Sequence, residues 1–325
     1  MSRVACLVEI TFVALLLLWP AAGAAQWPPE SFTNLKVLPK DISREELTAM
    51  MGGFTRALGV RCTHCHVGVE GEPLSTYNFA ADDKRAKRKA RTMIEMTRAI
   101  NERHLATLET RGDPPVKVDC MTCHRGAREP RTLQDVLRRE YRTGGLDALK
   151  ARYLALRERY YGRFTYDFGE VPLADLAGEM WDDGAPGDAV QLHAFNVEMN
   201  PTSSFARRQH ASLAITRAFR QEGIDGGTAR YRDLRQRYGA AVFSEFLLAE
   251  IGSRLLNANE VEAALAVFRL NVDAFPNSAT AHESLADAYL KSGDTPHAVG
   301  SYEKALALDP TNRTARSKLE KLRRP

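Results

Sequence analysis

Cysteine is scarce in this 325-residue chain, which has five, and beyond Arg131 it vanishes. Long apolar runs are scarcer still. One lies near the N-terminus, from Ile10 to Trp19, and no other stretch is apolar enough to span a membrane. That run falls short of the roughly 20 residues a spanning helix needs, and Glu9 abuts it. An excess of one charge is also missing, since 45 Lys and Arg stand against 41 Asp and Glu. So small a balance says little until it is located along the chain. The composition has neither the bias of a disordered chain nor that of a collagen-like one. Its length leaves room for two domains of roughly 150 residues each.

The N-terminal run reads as part of a signal peptide over residues 1–25: Arg3 supplies the positive start, Ile10 to Trp19 the apolar stretch, and Ala22-Gly23-Ala24 the small-residue cleavage site. Cleavage sets the mature start near Ala25 or Gln26, and the expected destination is the periplasm. The alternative is an uncleaved segment that keeps the protein on the membrane. Cys6 lies ahead of the apolar run, where a lipid-anchoring cysteine is not expected. Without it the cysteines are Cys62, Cys65, Cys120 and Cys123, two Cys-x-x-Cys pairs. Four cysteines in an exported chain ordinarily read as disulfides. A histidine directly after each pair argues otherwise.

The pattern is all-α. Over residues 26–131 helices alternate with turns, and the cysteine motifs fall on the turns. Ser43 and Glu46 have capping-box spacing ahead of Leu47, Met50, Met51, Phe54 and Leu58, which share one helical face, and Gly59 ends that helix. A longer helix is expected over 83–108, with Met93, Met96, Thr97, Ile100 and His104 on one side and Asp113-Pro114-Pro115 barring its continuation.

Over 132–325, Ala, Leu, Tyr and Arg recur at helical spacing. Phe195-Asn196-Val197-Glu198 with Pro201 returns 75 residues later as Leu270-Asn271-Val272-Asp273 with Pro276. Ala151-Arg152-Tyr153 is echoed by Ala229-Arg230-Tyr231. A shorter period of 34 residues links Pro276 to Pro310, Ala264 to Ala298, and Phe268 to Tyr302. That is the tetratricopeptide length, and the final segment resembles this repeat family, most clearly over 243–312. Two C-terminal helical hairpins are expected, within an array of four or more. Stacked hairpins leave a concave surface suited to a protein partner, and equally serve as a scaffold.

Cys62-Thr63-His64-Cys65-His66 and Cys120-Met121-Thr122-Cys123-His124 are both Cys-x-x-Cys-His. Two thiols a turn apart can form thioethers to the two vinyl groups of one haem, and the adjacent histidine then reaches the iron. The chain is therefore expected to carry two covalently bound haem c groups, with His66 and His124 as axial ligands. Zinc held by four thiolates is a rival that leaves both histidines unexplained. A thioredoxin-like redox pair is another, and it requires strands that the pattern lacks.

Methionine is the natural sixth ligand for an electron carrier, because a thioether stabilises ferrous iron. Met51 lies on the capped helix next to Gly52-Gly53, which costs about 1 kcal/mol per glycine in a helix and would let a flat group approach the backbone. Met50 is the alternative, and either could instead be a core residue. For the second haem Met93 and Met96 are candidates, with His104 on the same face.

Met51-Gly52-Gly53-Phe54 leading to the first motif, the run Ala90-Arg91-Thr92-Met93-Ile94-Glu95-Met96-Thr97-Arg98-Ala99-Ile100-Asn101, and the second motif with Arg125-Gly126 and Pro130 resemble the cytochrome subunit of photosynthetic reaction centres. The resemblance spans about 32–131. It implies a haem on each helix-turn-motif unit, with Met51 serving the haem at His66 and Met93 the haem at His124. It also implies redox partner proteins, among them a membrane electron-transfer complex. Members of that family carry four motifs where this chain has two.

Lys84, Arg85, Lys87, Arg88, Lys89 and Arg91 form a basic run. It reads either as a solvated helix face or, with Arg125, as partners for haem propionates and guides for an acidic redox protein. Nucleic acid is not an expected partner. His64, His193, His210, His282 and His297 lack ligand spacing and are taken as surface or core residues. The expectation is an exported two-haem electron-transfer protein rather than an enzyme, with a two-haem peroxidase and a haem-free zinc adaptor as rivals.

Overall fold

A computed structural model describes residues 31–110 and 112–323. The leader expected over 1–25 lies outside the described residues. The chain divides into two compact units, one ending at Pro130 and the other starting at Arg131. Among the described residues no β-strand forms; a lone antiparallel bridge joins Val67 to Asn78. The fold is all-α, and the strand framework of a thioredoxin-like site is absent from the described residues.

Among its described residues the first unit has three α-helices: α1 (Arg44–Leu58), α2 (Arg85–Ala99) and the five-residue α3 (Cys120–His124). Helix α1 opens on the Ser43–Glu46 capping box, in which Glu46 N donates to Ser43 Oγ (3.2 Å) and Ser43 N to Glu46 Oε2 (3.1 Å). It stops at Gly59, whose φ of 63° suits glycine. The helix expected over 83–108 breaks after Ala99 into a π-helical turn (Ile100–His104) and a 3₁₀ turn (Leu105–Thr107). Asn101 shows why: its side chain receives Val118 N (2.8 Å) and donates to Val118 O (2.7 Å), so the chain entering the second motif is clasped there.

The apolar burial of this unit is minimal. Ala57 and Ala127 are its only described hydrophobic residues that reach the buried class. A chain of this length normally needs a packed interior to offset its lost conformational freedom.

The second unit has that interior. It runs through α4 (Leu133–Tyr160), α5 (Glu170–Asp182), α6 (Pro186–Met199), α7 (Ser204–Tyr238), α8 (Glu245–Asn257), α9 (Val261–Ala274), α10 (Ala279–Ser292), α11 (Thr295–Leu308) and α12 (Arg313–Arg323). The pairs α5/α6, α8/α9 and α10/α11 are antiparallel hairpins, and α12 packs on α11 at the end of the stack. One cluster centres on Leu137, Leu149, Tyr153, Leu173 and Leu192, the other on Ile215, Leu247, Ile251, Phe268 and Tyr302.

The internal duplication extends to the backbone. Helix α4 bends at Gly145 (φ 74°, ψ −168°), and α7 bends at Gly223 (φ 72°, ψ −166°). Both conformations are open to glycine and strained for other residues. The duplicated positions also compensate. Ala177 and His193 in the first copy answer to Gly252 and Phe268 in the second, where a Cβ on residue 252 would stand 2.6 Å from the Phe268 ring. His193 and His210 are buried, and burial pushes both rings down to about 4, so they are neutral core residues.

Candidate haem site

The two motifs are shaped differently although their sequences match. Cys62–His64 is a single 3₁₀ turn, after which His66 N donates to Cys62 O (2.9 Å). The second motif is itself a helix rather than a turn. Asp119 caps it, accepting from Thr122 N at 2.9 Å while Asp119 N donates to Thr122 Oγ1 at 3.1 Å. Helical spacing then brings Cys120, Cys123 and His124 to one side.

Left-handed residues Arg125 (φ 46°) and Gly126 (φ 87°) turn the chain back. That turn delivers Ala127 O to the His124 ring, whose Nδ1–H donates to it at 3.0 Å. A carbonyl can only accept, so the tautomer is fixed and Nε2 keeps its lone pair for a metal. His66 is set otherwise. Its Nδ1 is buried and meets no hydrogen-bond partner among the described residues, and burial, with Lys87 nearby, holds the ring below its ordinary pKa. An orphaned buried imidazole nitrogen costs about 1–3 kcal/mol unless something binds it.

The motifs meet at the end of α1. Gly126 N donates to Ala57 O (2.9 Å), and a Cβ on Gly59 would stand 2.1 Å from Gly126 O. Gly59→Ala is therefore expected to displace the second motif as well as strain its own left-handed backbone. Its cost should exceed the roughly 1 kcal/mol of the φ change alone. Thermal unfolding of the first unit, followed beside that of Gly53→Ala, checks this, because a Cβ on Gly53 meets nothing within 4 Å.

Where this unit lacks a core it has a cavity of about 1450 Å³. Ordinary small-ligand pockets hold roughly 300–1,000 Å³, so one occupant of that size would not fill it. Met51, Cys62, Cys65, His66, Met93, Cys120 and His124 all line it, and Gly52 and Phe54 flank Met51 there. Met50, Met96, His104 and Cys123 are not in its wall, and Cys123 faces solvent. The cavity thus separates each preferred methionine from its alternative. All four cysteines are free thiols, and burial raises the pKa of Cys65 and Cys120. Among the described residues no group of three or more His, Cys, Asp or Glu converges to hold a metal ion, so the four-thiolate zinc arrangement is not assembled.

The basic run sorts into two sets, a division the sequence did not reveal. Four members brace the backbone. Lys84 donates to Thr63 O, Lys87 to Phe79 O (2.8 Å) and Ala81 O (2.8 Å), Arg88 to Asp83 O (2.9 Å), and Arg91 pairs with Asp82 (2.7 Å). Asp82 is the hub, also holding Lys36 at 2.7 Å and Asn34 at 2.9 Å. Arg91, then Lys36, hold its carboxyl far below the usual carboxylate range. A depressed carboxylate stabilises above its unfolded pKa of about 3.9 and loses that contribution as pH falls. Melting of the first unit should therefore drop below about pH 4, and Asp82→Asn should lower it at neutral pH and flatten that dependence.

The other set lines the cavity with no described partner. It comprises Arg85, Lys89 and, from the second motif's loop, Arg128. Arg125, expected to join them, has other interactions and is not in the wall. His64, read from sequence as an ordinary surface or core residue, also lines the cavity, and burial lowers its pKa, with Arg128 adding to the effect.

Comparison with known proteins finds matches in both parts of the chain. Residues 20–144 match the family model described as photosynthetic reaction centre cytochrome C subunit, a longer span than 32–131, and residues 279–312 match the tetratricopeptide repeat model. The photosynthetic reaction center cytochrome c subunit of Thermochromatium tepidum is 35% identical over 104 residues, covering 31% of this chain and 22% of that protein. A chloroplastic tetratricopeptide repeat domain-containing protein of Arabidopsis thaliana, PYG7, is 29% identical over 147 residues, 45% of this chain and 44% of that protein. The chain thus spans less than half the length of either relative. Among solved structures, the MamA protein aligns with a TM-score of 0.30 at 21% identity, over 58% of this chain and 93% of MamA.

Proposed function

We propose that this chain is an exported two-haem c-type cytochrome whose first unit exchanges single electrons with partner proteins and whose repeats dock one of them. One observation supports this most. A unit whose described buried apolar residues are Ala57 and Ala127 has a cavity of about 1450 Å³ lined by Cys62, Cys65 and His66 of one motif and by Cys120 and His124 of the other. An apolar cofactor fits that space, which no described side chain of the unit fills.

Bound there, haem c supplies a reversible one-electron iron couple. Cys62 and Cys65 tether one group and Cys120 and Cys123 the other. His66 and His124 offer a ring nitrogen to iron, the latter with its tautomer fixed by Ala127 O. Met51 and Met93 would supply the thioether ligands. Arg85, Lys89 and Arg128 are placed to hold the propionate carboxylates by charge-assisted hydrogen bonds. Lys84, Lys87, Arg88 and Arg91 keep the surrounding loops in place.

Export to the periplasm rests on the 1–25 leader, and a membrane electron-transfer complex as partner rests on the likeness to reaction-centre cytochrome subunits. Spectroelectrochemical titration of the holoprotein tests the assignment. Two one-electron transitions with low-spin spectra are expected. A high-spin iron that turns over hydrogen peroxide would assign the chain to the peroxidase class instead.

A further inference from the structure

The second unit carries a feature that its fold does not require. In the loop between α4 and α5, Tyr161 is 64% and Phe164 is 93% exposed, the latter more than any other large apolar side chain described. The loop is firmly held. Thr165 and Phe168 are buried, Tyr160 meets Tyr166 edge-on at 5.3 Å, and Asp167 Oδ1 accepts from Gly169 N at 2.8 Å. Tyr153 donates from its hydroxyl to Phe168 O. Phe164 is thus fixed outward on an anchored turn.

The internal duplication supplies a control. Tyr153 and Tyr231 are 78 residues apart but Phe168 and Phe243 are 75, so the first copy's connection is three residues longer. In the second copy Val242 and Phe243 both turn inward, to 8% and 3% exposure, and the exposed aromatic nearby, Phe246, stands on helix α8 rather than on the connection. The shorter connection itself holds no exposed ring, whereas the longer connection of the first copy sets Phe164 outward on a loop.

Cations surround it. The Arg157 guanidinium lies 4.7 Å from the Tyr161 ring centre and that of Arg159 lies 5.1 Å from Tyr160, while Arg163 is the residue before Phe164. Arg159 and Arg163 have no carboxylate partner among the described residues, and Asp167 is occupied within the turn.

We propose that this loop seats the protein on an anionic phospholipid surface, with Phe164 inserted below the headgroups. A projecting ring enters a fluid interface without needing a preformed pocket. Tyr161 has the apolar body and polar tip of residues that settle at headgroup depth. The unpaired guanidinium groups of Arg159 and Arg163 meet lipid phosphates there. No helix among the described residues is long and apolar enough to cross a membrane. The contact is independent of the haem assignment.

Sedimentation of the holoprotein with vesicles of phosphatidylcholine alone, or with phosphatidylglycerol added, tests it. Binding is expected with phosphatidylglycerol and should weaken with salt. Phe164→Ala should lower the partition coefficient roughly tenfold, with thermal melting unchanged because the ring is almost bare. Arg159→Gln with Arg163→Gln should remove the advantage of the anionic vesicles. Equal partition of Phe164→Ala and the parent protein would overturn the proposal, as would no binding to either vesicle. Failure to bind vesicles together with cross-linking of residue 164 to a membrane protein would reassign the loop to protein docking.

Discussion

Replacing Cys62, Cys65, Cys120 and Cys123 together by alanine is expected to unfold the first unit and leave the second intact. The reason is the distribution of burial. Leu, Phe and Tyr side chains fill two clusters beyond Arg131, whereas among the described residues before Pro130 the buried apolar residues are two alanines. At about 25 cal/mol per Å² of apolar burial, two alanines cannot offset the ordering of some 100 residues. What holds the apo unit is a small set of polar contacts: the Ser43 box, the Asp119 box, the Asp82 hub and the Asn101 clasp. Helix caps and hydrogen bonds of this kind stabilise a fold only modestly, and surface ion pairs less. Limited proteolysis should clear the variant up to about Arg131 and spare a helical fragment whose melting matches that of the parent's second unit. A resistant first unit without haem would show that the cavity is an ordinary feature of a self-sufficient fold.

The second large effect is expected at the methionines. Met51→Ala and Met93→Ala should each remove the thioether ligand from one haem, while Met50→Ala and Met96→Ala leave both intact. Loss of a thioether weakens the preference for ferrous iron. If the preference falls about a hundredfold, the potential of that haem drops by about 120 mV for a one-electron couple. The two variants should affect different transitions of the titration. The choice rests on the cavity wall, which contains Met51 and Met93 and neither neighbour. A drop with Met96→Ala would mean that α2 turns a different face to the second haem.

The sequence was most legible where chemistry fixes spacing. Ser43, Glu46 and Gly59 mark a helix whose ends stand where the pattern put them. The α8–α11 hairpins likewise follow from a 34-residue period that is hard to satisfy otherwise. Partnerships between distant residues were not legible. Asp82 gathers Lys36 and Asn34 from 46 and 48 residues away, and nothing local distinguishes it from Asp83. The break of the long helix after Ala99 depends on Val118, 17 residues beyond Asn101, whereas the segment itself contains no proline. Periodicity could not separate Met93 from Met96, because residues three apart share a helical face. The basic run was read as one feature, yet its members differ in whether a carbonyl or carboxylate lies within reach, which only the fold decides.

The central claim is that both motifs hold covalent haem. The most direct measurement is the haem content of the full chain expressed in a host that matures c-type cytochromes, taken from its intact mass and its reduced-pyridine spectrum. Two haems per chain, retained under denaturing conditions and reduced to one by Cys62→Ala with Cys65→Ala, is the result this account predicts. A chain that emerges without haem and with zinc bound to its thiols would contradict it.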